Sequence, residues 1–507
     1  MIRLNLPDPR TGKPRRTTKP KHKRFAGAGV SRLTSDWVTQ PTSADRDIRW
    51  NLMKLRARAR ALVRDNPYAS RFVNLVAENV IGMYGIEAQP ANKLGGRMHR
   101  TLNTTIKDAW QDWGRPASAS VDGRQSWIGQ QQLAARAWPA DGEVFLRLVG
   151  GFGNPYSFAV QMIDPDLCDQ ELNTQKTRTQ NEIRMGVELD RWGRPVAYWF
   201  WTRHPFDLTP GPRTHERIPA EQIVHLYAMM RPGQTRGYPW FAPILLDTNM
   251  LGGYTEAELV AARTAASAMG FFSTDPEAED DVEDEEDSQG ETPAMMDAEP
   301  GTFWKLRPGT SVHEWSPEHP NAAFEMFAGT VLRGIAAGLN VSYASLTGDL
   351  RNANYSSARV GSLQERDGWE MLQHTVIEHV CDRVYATWGA WAALAGALAI
   401  GTRNFGDVGA VLWQPRGWPW VDPLKDIEAA EKEIQLGINS RTSVCLRMGR
   451  DFEEVLDELK TEQALADEAG VSITPPVPGS APTKDGTDGT DTTDSTDAGR
   501  ALRLAAR

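Results

Sequence analysis

Cysteine is scarce in this chain, with Cys168, Cys381 and Cys445 alone among 507 residues. They lie far apart, form no CxxC pair and are odd in number. That excludes a disulfide framework or a cysteine zinc site and points to reduced thiols in a cytoplasmic setting. The chain also lacks a GxxxxGKS/T loop, which excludes nucleotide hydrolysis by the P-loop route. HExxH and GxSxG are missing, so two common hydrolase frameworks are excluded as well. GGFG at Gly150–Gly153 is a loop outside the strand–turn–helix frame that phosphate binding needs. His374 and His379 are five apart, off a common helical face, which argues against a shared metal. No cofactor is expected.

Long apolar runs are equally rare. The basic N-terminus has no apolar core of the signal-peptide kind. Val384–Thr402 carries no charge but is mostly Ala and Gly, and its sequence predicts a tightly packed helix rather than a membrane span.

What is present is charge, sharply segregated. The net charge is −10, yet residues 1–24 hold nine Lys/Arg and one Asp. Residues 275–299 hold thirteen Asp/Glu and no Lys or Arg. Any nucleic-acid role must therefore accommodate a body that is acidic outside its first residues. Tryptophan is abundant at 18 residues and has two readings, flat contact surfaces or ordinary core use.

Residues 1–45 read as a flexible basic arm. From Arg46 a helical pattern begins, with Arg56, Arg60 and Arg64 on one face. That stripe meets phosphate, an acidic neighbour or simply solvent. In DNPYASRFVNLVAENVIG, Asn66 caps a helix, Pro67 is its first residue and Gly82 follows its end. Tyr68, Phe72, Val76 and Val80 form its apolar face. EVFLRLV, SFAVQMI, GVELD and PVAYWFW read as strands, the last two joined by a turn at Gly193. Thr255 and Glu258 predict a capping box before an Ala-rich helix over 256–271. A helix from Asn321 to Leu339, a long one over 356–399 and three short capped helices after Asp422 follow. Beyond Val471 the Pro, Thr, Gly and Asp composition reads as a disordered tail.

One polar segment stands out, LTGDLRNANYSSARVG from Leu346. A hydrolase reading takes Ser356 or Ser357 as nucleophile, His374 as base and Asp349 as its orienter. Against it, nothing nearby supplies an oxyanion hole.

Several segments in fixed order carry a resemblance. RDNPYASRFVNLVAENVIG, GVELDRWGRPVAYW, RIPAEQIVHLY, RPGQTRGYPWFAPIL and LRGIAAGLNVSYASLTGDLRNANYSSARVG are followed by DPLKDIEAAEKEIQLGINSRTSVCLRMGRDFEEVLDEL. Together they resemble the lambda-type portal proteins of tailed phages over most of residues 50–470. The resemblance implies a mixed α+β, mainly helical fold with wing, stem, clip and crown, assembled as a dodecameric ring around a DNA channel at one capsid vertex. It implies a wing at 46–254, stem helices at 255–271 and 321–340, and a clip at 272–320 holding the acidic insertion. A tunnel loop at 341–356, a long helix returning to the wing at 357–421 and a helical crown at 422–470 complete it. The channel residues expected from it are Asp349, Arg351, Asn352, Asn354, Tyr355 and Ser356. Partner docking, or mere solubility, falls to Asp280, Asp281, Glu283, Asp284, Glu285, Glu286 and Asp287. Arg15, Arg16, Lys21, Lys23 and Arg24 are expected to make electrostatic contacts with DNA, scaffold or capsid.

The implied function is structural and non-enzymatic, with double-stranded DNA passing at packaging and ejection. The implied partners are the large terminase subunit, head-tail adaptors, the major capsid protein and scaffold. The implied place is the virion, after assembly in the host cytoplasm and without a membrane. A DNA-binding scaffold or minor head protein that forms no ring is the alternative.

Overall fold

The computed structural model describes residues 40–470 apart from 95–96, 209–210, 267–269, 275–309, 315–321, 352–354, 399, 401–404, 419–422, 449 and 451. The chain divides into two units, Met1–Glu428 and Ala429–Arg507.

The first unit opens with α1 (Ala44–Arg49), α2 (Leu52–Asp65) and α3 (Pro67–Val76). Asn66 caps α3 as its sequence predicts, its side chain accepting from the Tyr68 and Ala69 amides. The helix then widens into a π turn, Ala77–Ile81, and ends at Gly82. Phe72, Val76 and Val80 are buried, so the expected apolar face is the real one. Strand β1 (Glu87–Pro90), α4 (Arg100–Trp113) and α5 (Trp127–Asp141) follow. Gly142 caps α5 with φ +83°, and any side chain there would collide with the Tyr238 backbone.

Two antiparallel sheets come next. The first pairs β2 (Glu143–Gly150) with β3 (Phe158–Ile163) on one side and β8 (Ile223–Tyr227) on the other. The second runs in order through β4 (Glu182–Arg184), β5 (Val187–Leu189), β6 (Pro195–Trp201) and β7 (His215–Pro219). The turn between β5 and β6 places Gly193 at φ +79°, as the sequence requires.

Helix α6 is a single element, Leu245–Ala266. The capping box expected at Thr255 does not form, because Thr255 is mid-helix and its Oγ1 donates to the Leu251 carbonyl at 2.9 Å. Two adjacent glycines, Gly252 and Gly253, weaken a helix without ending it when its flanks propagate through them. A two-stranded pair, β9 (Gly270–Thr274) and β10 (Thr310–Glu314), stands where the helix was expected to finish. Then come α7 (Ala322–Gly338), α8 (Tyr343–Thr347), α9 (Tyr355–Val376), a second π turn at Ile377–Cys381 and α10 (Asp382–Leu394). Strand β11 (Val411–Gln414) pairs back onto β1.

The core answers much of the tryptophan question. Trp113, Trp138 and Trp388 are fully buried, and Trp110 stacks edge-on to Trp388 with centroids 5.0 Å apart. The Trp113 indole donates to the Phe158 carbonyl at 2.9 Å. Val384, Tyr385 and Trp388 bury α10 as a packed helix. Among the described residues no helix is long and apolar enough to cross a membrane.

The expected arginine stripe turns inward. Glu143, wholly buried, accepts from Arg56 Nη2 at 2.7 Å, Arg236 Nη2 at 2.5 Å and His225 Nε2 at 2.9 Å. Arg56 and Arg60 share Asp166 at 2.6 Å each, and Arg60 also holds Asp141 at 2.6 Å. Arg64 alone stays on the surface, paired to Asp65. The stripe therefore meets acidic neighbours, and it ties α2 to the sheet.

The second unit contains the end of α11 (Pro423–Gln435), then α12 (Arg441–Arg447) and α13 (Phe452–Ala469). Ser440 caps α12, and Arg447 pairs with Glu433 at 3.3 Å.

Candidate nucleic-acid interface

The polar segment lies between α7 and α9, and its base is tightly fixed. Asn340 takes a left-handed conformation after α7, and Ser342 caps α8 by accepting from the Ser345 amide at 3.1 Å. Leu346 is buried and anchors the short helix in the core. Glu365 on α9 accepts from Ser345 Oγ at 2.8 Å and from the Ser342 amide at 3.3 Å. From α3, Arg71 Nε donates to the Ser345 carbonyl at 2.7 Å. Gly348 then ends α8 with φ +75°, its amide donating to Ala344 O at 2.8 Å.

Past this point the side chains neutralise one another. Arg351 grips Asp349 through Nε at 3.0 Å and Nη2 at 2.9 Å, and its Nη1 reaches Glu325 on α7 at 3.0 Å. Tyr343 OH adds a longer bond to Asp349 Oδ2 at 3.4 Å. The hydrogen bonds from Arg351 hold the Asp349 carboxyl down to about 2. The same bonds, with Glu325 behind them, hold Arg351 all the more firmly in its charged form. The cation of this segment thus sits between two carboxylates.

The loop is shorter than 341–356, because Tyr343–Thr347 is helical and Tyr355 and Ser356 begin α9. Local Ser342 and Gly348 cap signals explain why the chain coils there. Asn352 and Asn354 lie outside the described residues, as do Asp280, Asp281, Glu283, Asp284, Glu285, Glu286 and Asp287. Arg15, Arg16, Lys21, Lys23 and Arg24 lie outside them too.

Residues 30–373 match the family described as phage portal protein, lambda family. The chain belongs to the lambda family of phage portal proteins. It is 32% identical over 444 residues to a probable portal protein of Halomonas phage phiHAP-1, covering 86% of each chain. It is 22% identical to portal protein B of Escherichia phage lambda, covering 85% of this chain and 87% of that one. Among solved structures it is similar to the neck of a native GTA particle computed with C12 symmetry. There the TM-score is 0.42 and the identity 15%, with 77% of this chain and 93% of that one covered.

Within one portal subunit the serine–histidine pairing cannot form. Ser356 and His374 lie on the same continuous helix, α9, eighteen positions apart. At 1.5 Å per residue that separates them by about 27 Å. His374 is instead solvent-exposed, 3.9 Å from Glu378 one turn on.

Asp164, Asp166 and His204 gather closely enough to suggest a cation site. Arg60 already occupies that space, 2.9 Å from Asp164 and 2.6 Å from Asp166. A guanidinium between the carboxylates leaves them unsuited to a metal.

Sequence reading missed Glu325, Glu365 and Arg71, which position the polar segment. Their signal was absent because each acts across the fold, Arg71 over 274 residues of chain.

Proposed function

We propose that this portal protein forms a closed ring whose central channel conducts double-stranded DNA, with the segment from Asp349 to Ser356 lining its narrow part. The observation that carries the ring is the outer half of the α6–α7 pair. Between Gly252 and Arg263 no residue of α6 is buried, although Leu259 is an apolar side chain left 61% exposed. On α7, Met326 is 77% and Phe327 54% exposed, although Phe324 and Phe327 pack against Tyr254 with centroids 5.6 and 5.3 Å away. A helix apolar on several sides is stable only when neighbours cover it. Copies of the same chain, meeting through unlike faces, supply that cover and close a ring.

Membership of the portal family supports twelve subunits, α6 and α7 as the stem, residues 272–320 as the clip and the helices after Asp422 as the crown. The chemistry of the polar segment supports conduction. A channel wall repeated around a ring resists DNA movement if each copy offers a free cation, since every phosphate contact releases counterions and tightens binding. Here Arg351 is already held by Asp349 and Glu325. ATP hydrolysis falls to a separate motor, the large terminase subunit, for which the acidic segment at 275–299 offers a docking element. Head-tail adaptors, scaffold and the major capsid protein are the other partners, and the site is the capsid vertex. The chain itself acts without catalysis.

Electron microscopy of the purified full-length protein tests the ring, which should appear as annular particles with a central opening. A persistent monomer under assembly conditions contradicts it.

A further inference from the structure

Arg56, Arg60 and Arg64 are all bound to carboxylates, but the cations on the opposite, solvent-facing side of α2 are not. Arg46 on α1, Trp50 at its C-cap, and Lys54 and Arg58 one turn apart on α2 make up a stripe across the two helices, and all are exposed. Trp50 is 67% exposed and Met53 beside it 43%. Among the described residues, Arg46, Lys54 and Arg58 meet no carboxylate. The acids of α1 are engaged elsewhere. Asp47 accepts from Arg231 at 2.9 Å, and Asp45 from the Thr235 amide and hydroxyl at 2.7 Å each. At one end of the stripe a cavity of ≈ 390 Å³ opens among Asp45, Arg46, Arg49, Trp50, Asn173 and Arg184, where Arg184 is paired to Glu182 at 2.7 Å and to Asp45 at 3.4 Å, leaving Arg46 and Arg49 as its cations. Among the described residues the buried Nε of Arg49 has no acceptor.

This surface asks for an anion that also carries apolar groups. Duplex DNA satisfies the cations alone, because its bases are stacked away from an indole lying on the backbone. An acidic polypeptide with aliphatic or thioether side chains satisfies both. The chain contains one, residues 275–299, with thirteen acids, no Lys or Arg, and Val282, Met295 and Met296 among them. Residues 275–309 join β9 to β10, and extended chain at about 3.4 Å per residue gives that connection a reach of tens of ångströms. We propose that the stripe Arg46–Trp50–Lys54–Arg58, with the Arg49 cavity at its end, docks the acidic segment 275–299 of this protein. Held on the stripe, the segment is withheld from the motor named above and must be released to dock there, and this contact stands or falls without reference to ring formation.

Acetylation of Lys54, followed by mass spectrometry on the intact full-length chain, tests it. The comparison is a chain whose thirteen acids are changed to Asn and Gln. Lys54 should react roughly fivefold slower in the natural sequence, as a set of exposed ion pairs would give. The difference should shrink in about 1 M salt. A synthetic peptide of residues 275–299, added to the amide-substituted chain, should restore protection. Its affinity should fall about tenfold in Arg46→Glu/Arg58→Glu and less in Trp50→Ala. Equal Lys54 reactivity in the two chains overturns the proposal. So does protection by a duplex of matched charge where the peptide gives none. Particle images of the same samples report ring formation separately, so loss of rings with Lys54 protection intact leaves the proposal standing.

Discussion

Glu143 shows how much a single buried carboxylate organises. Arg56, Arg236 and His225 all bond to it, and the Gly237 amide adds a fourth contact at 3.0 Å. Glu143→Ala leaves two guanidinium groups buried beside an empty space, and chemical denaturation should show a loss of about 3–5 kcal/mol. Acid should act in two stages. Burial pushes the His225 imidazole below its usual range despite the pull of Glu143. A histidine depressed in the fold gains protons on unfolding, so stability falls as pH drops through about 6.5. Arg236 and His225 outweigh burial and hold Glu143 below the usual carboxylate range, so its contribution is lost at more acid pH, below about 4. His225→Asn should remove the first stage and leave the second, which a pH series of melting temperatures will show.

The elements divide by how far their causes reach along the chain. The cap of α3 was legible because Asn66, Pro67 and the amides they serve are neighbours, and Asn66→Ala should cost about 1 kcal/mol in thermal unfolding. Strands β2, β3, β5 and β6 were legible from apolar composition, and the β5–β6 turn from Gly193. The true start of α6 was not, since Thr255 and Glu258 imitate a cap inside a helix that already runs from Leu245. Nor was the destination of the arginine stripe, because Arg56 finds Glu143 and Asp166 at separations of 87 and 110 residues. In the candidate channel the polar character was legible, while its neutralisation was not. Asp349 and Arg351 are two apart, but Glu325 joins them only because α7 returns past the loop. At the same scale, Trp388→Ala should cost about 3–5 kcal/mol, since that ring is fully buried against Trp110 and Phe405.

In the assembled molecule, the proposed channel wall should let phosphate pass. Freeing the cation should slow DNA. Rings carrying Asp349→Asn and Glu325→Gln should retain duplex DNA more strongly than the natural sequence, with a steeper dependence on salt in a filter-retention series. Arg351→Ala should leave retention almost unchanged, because that charge is already held by its neighbours. The most direct measurement is a cryo-electron microscopy reconstruction of the purified particle that places residues 349–356 within it. The account predicts a closed ring with this segment at the narrowest radius and Arg351 still turned toward Asp349 and Glu325. A ring with the segment on its outer surface, or a narrow point lined by unpaired arginines and lysines, would contradict it.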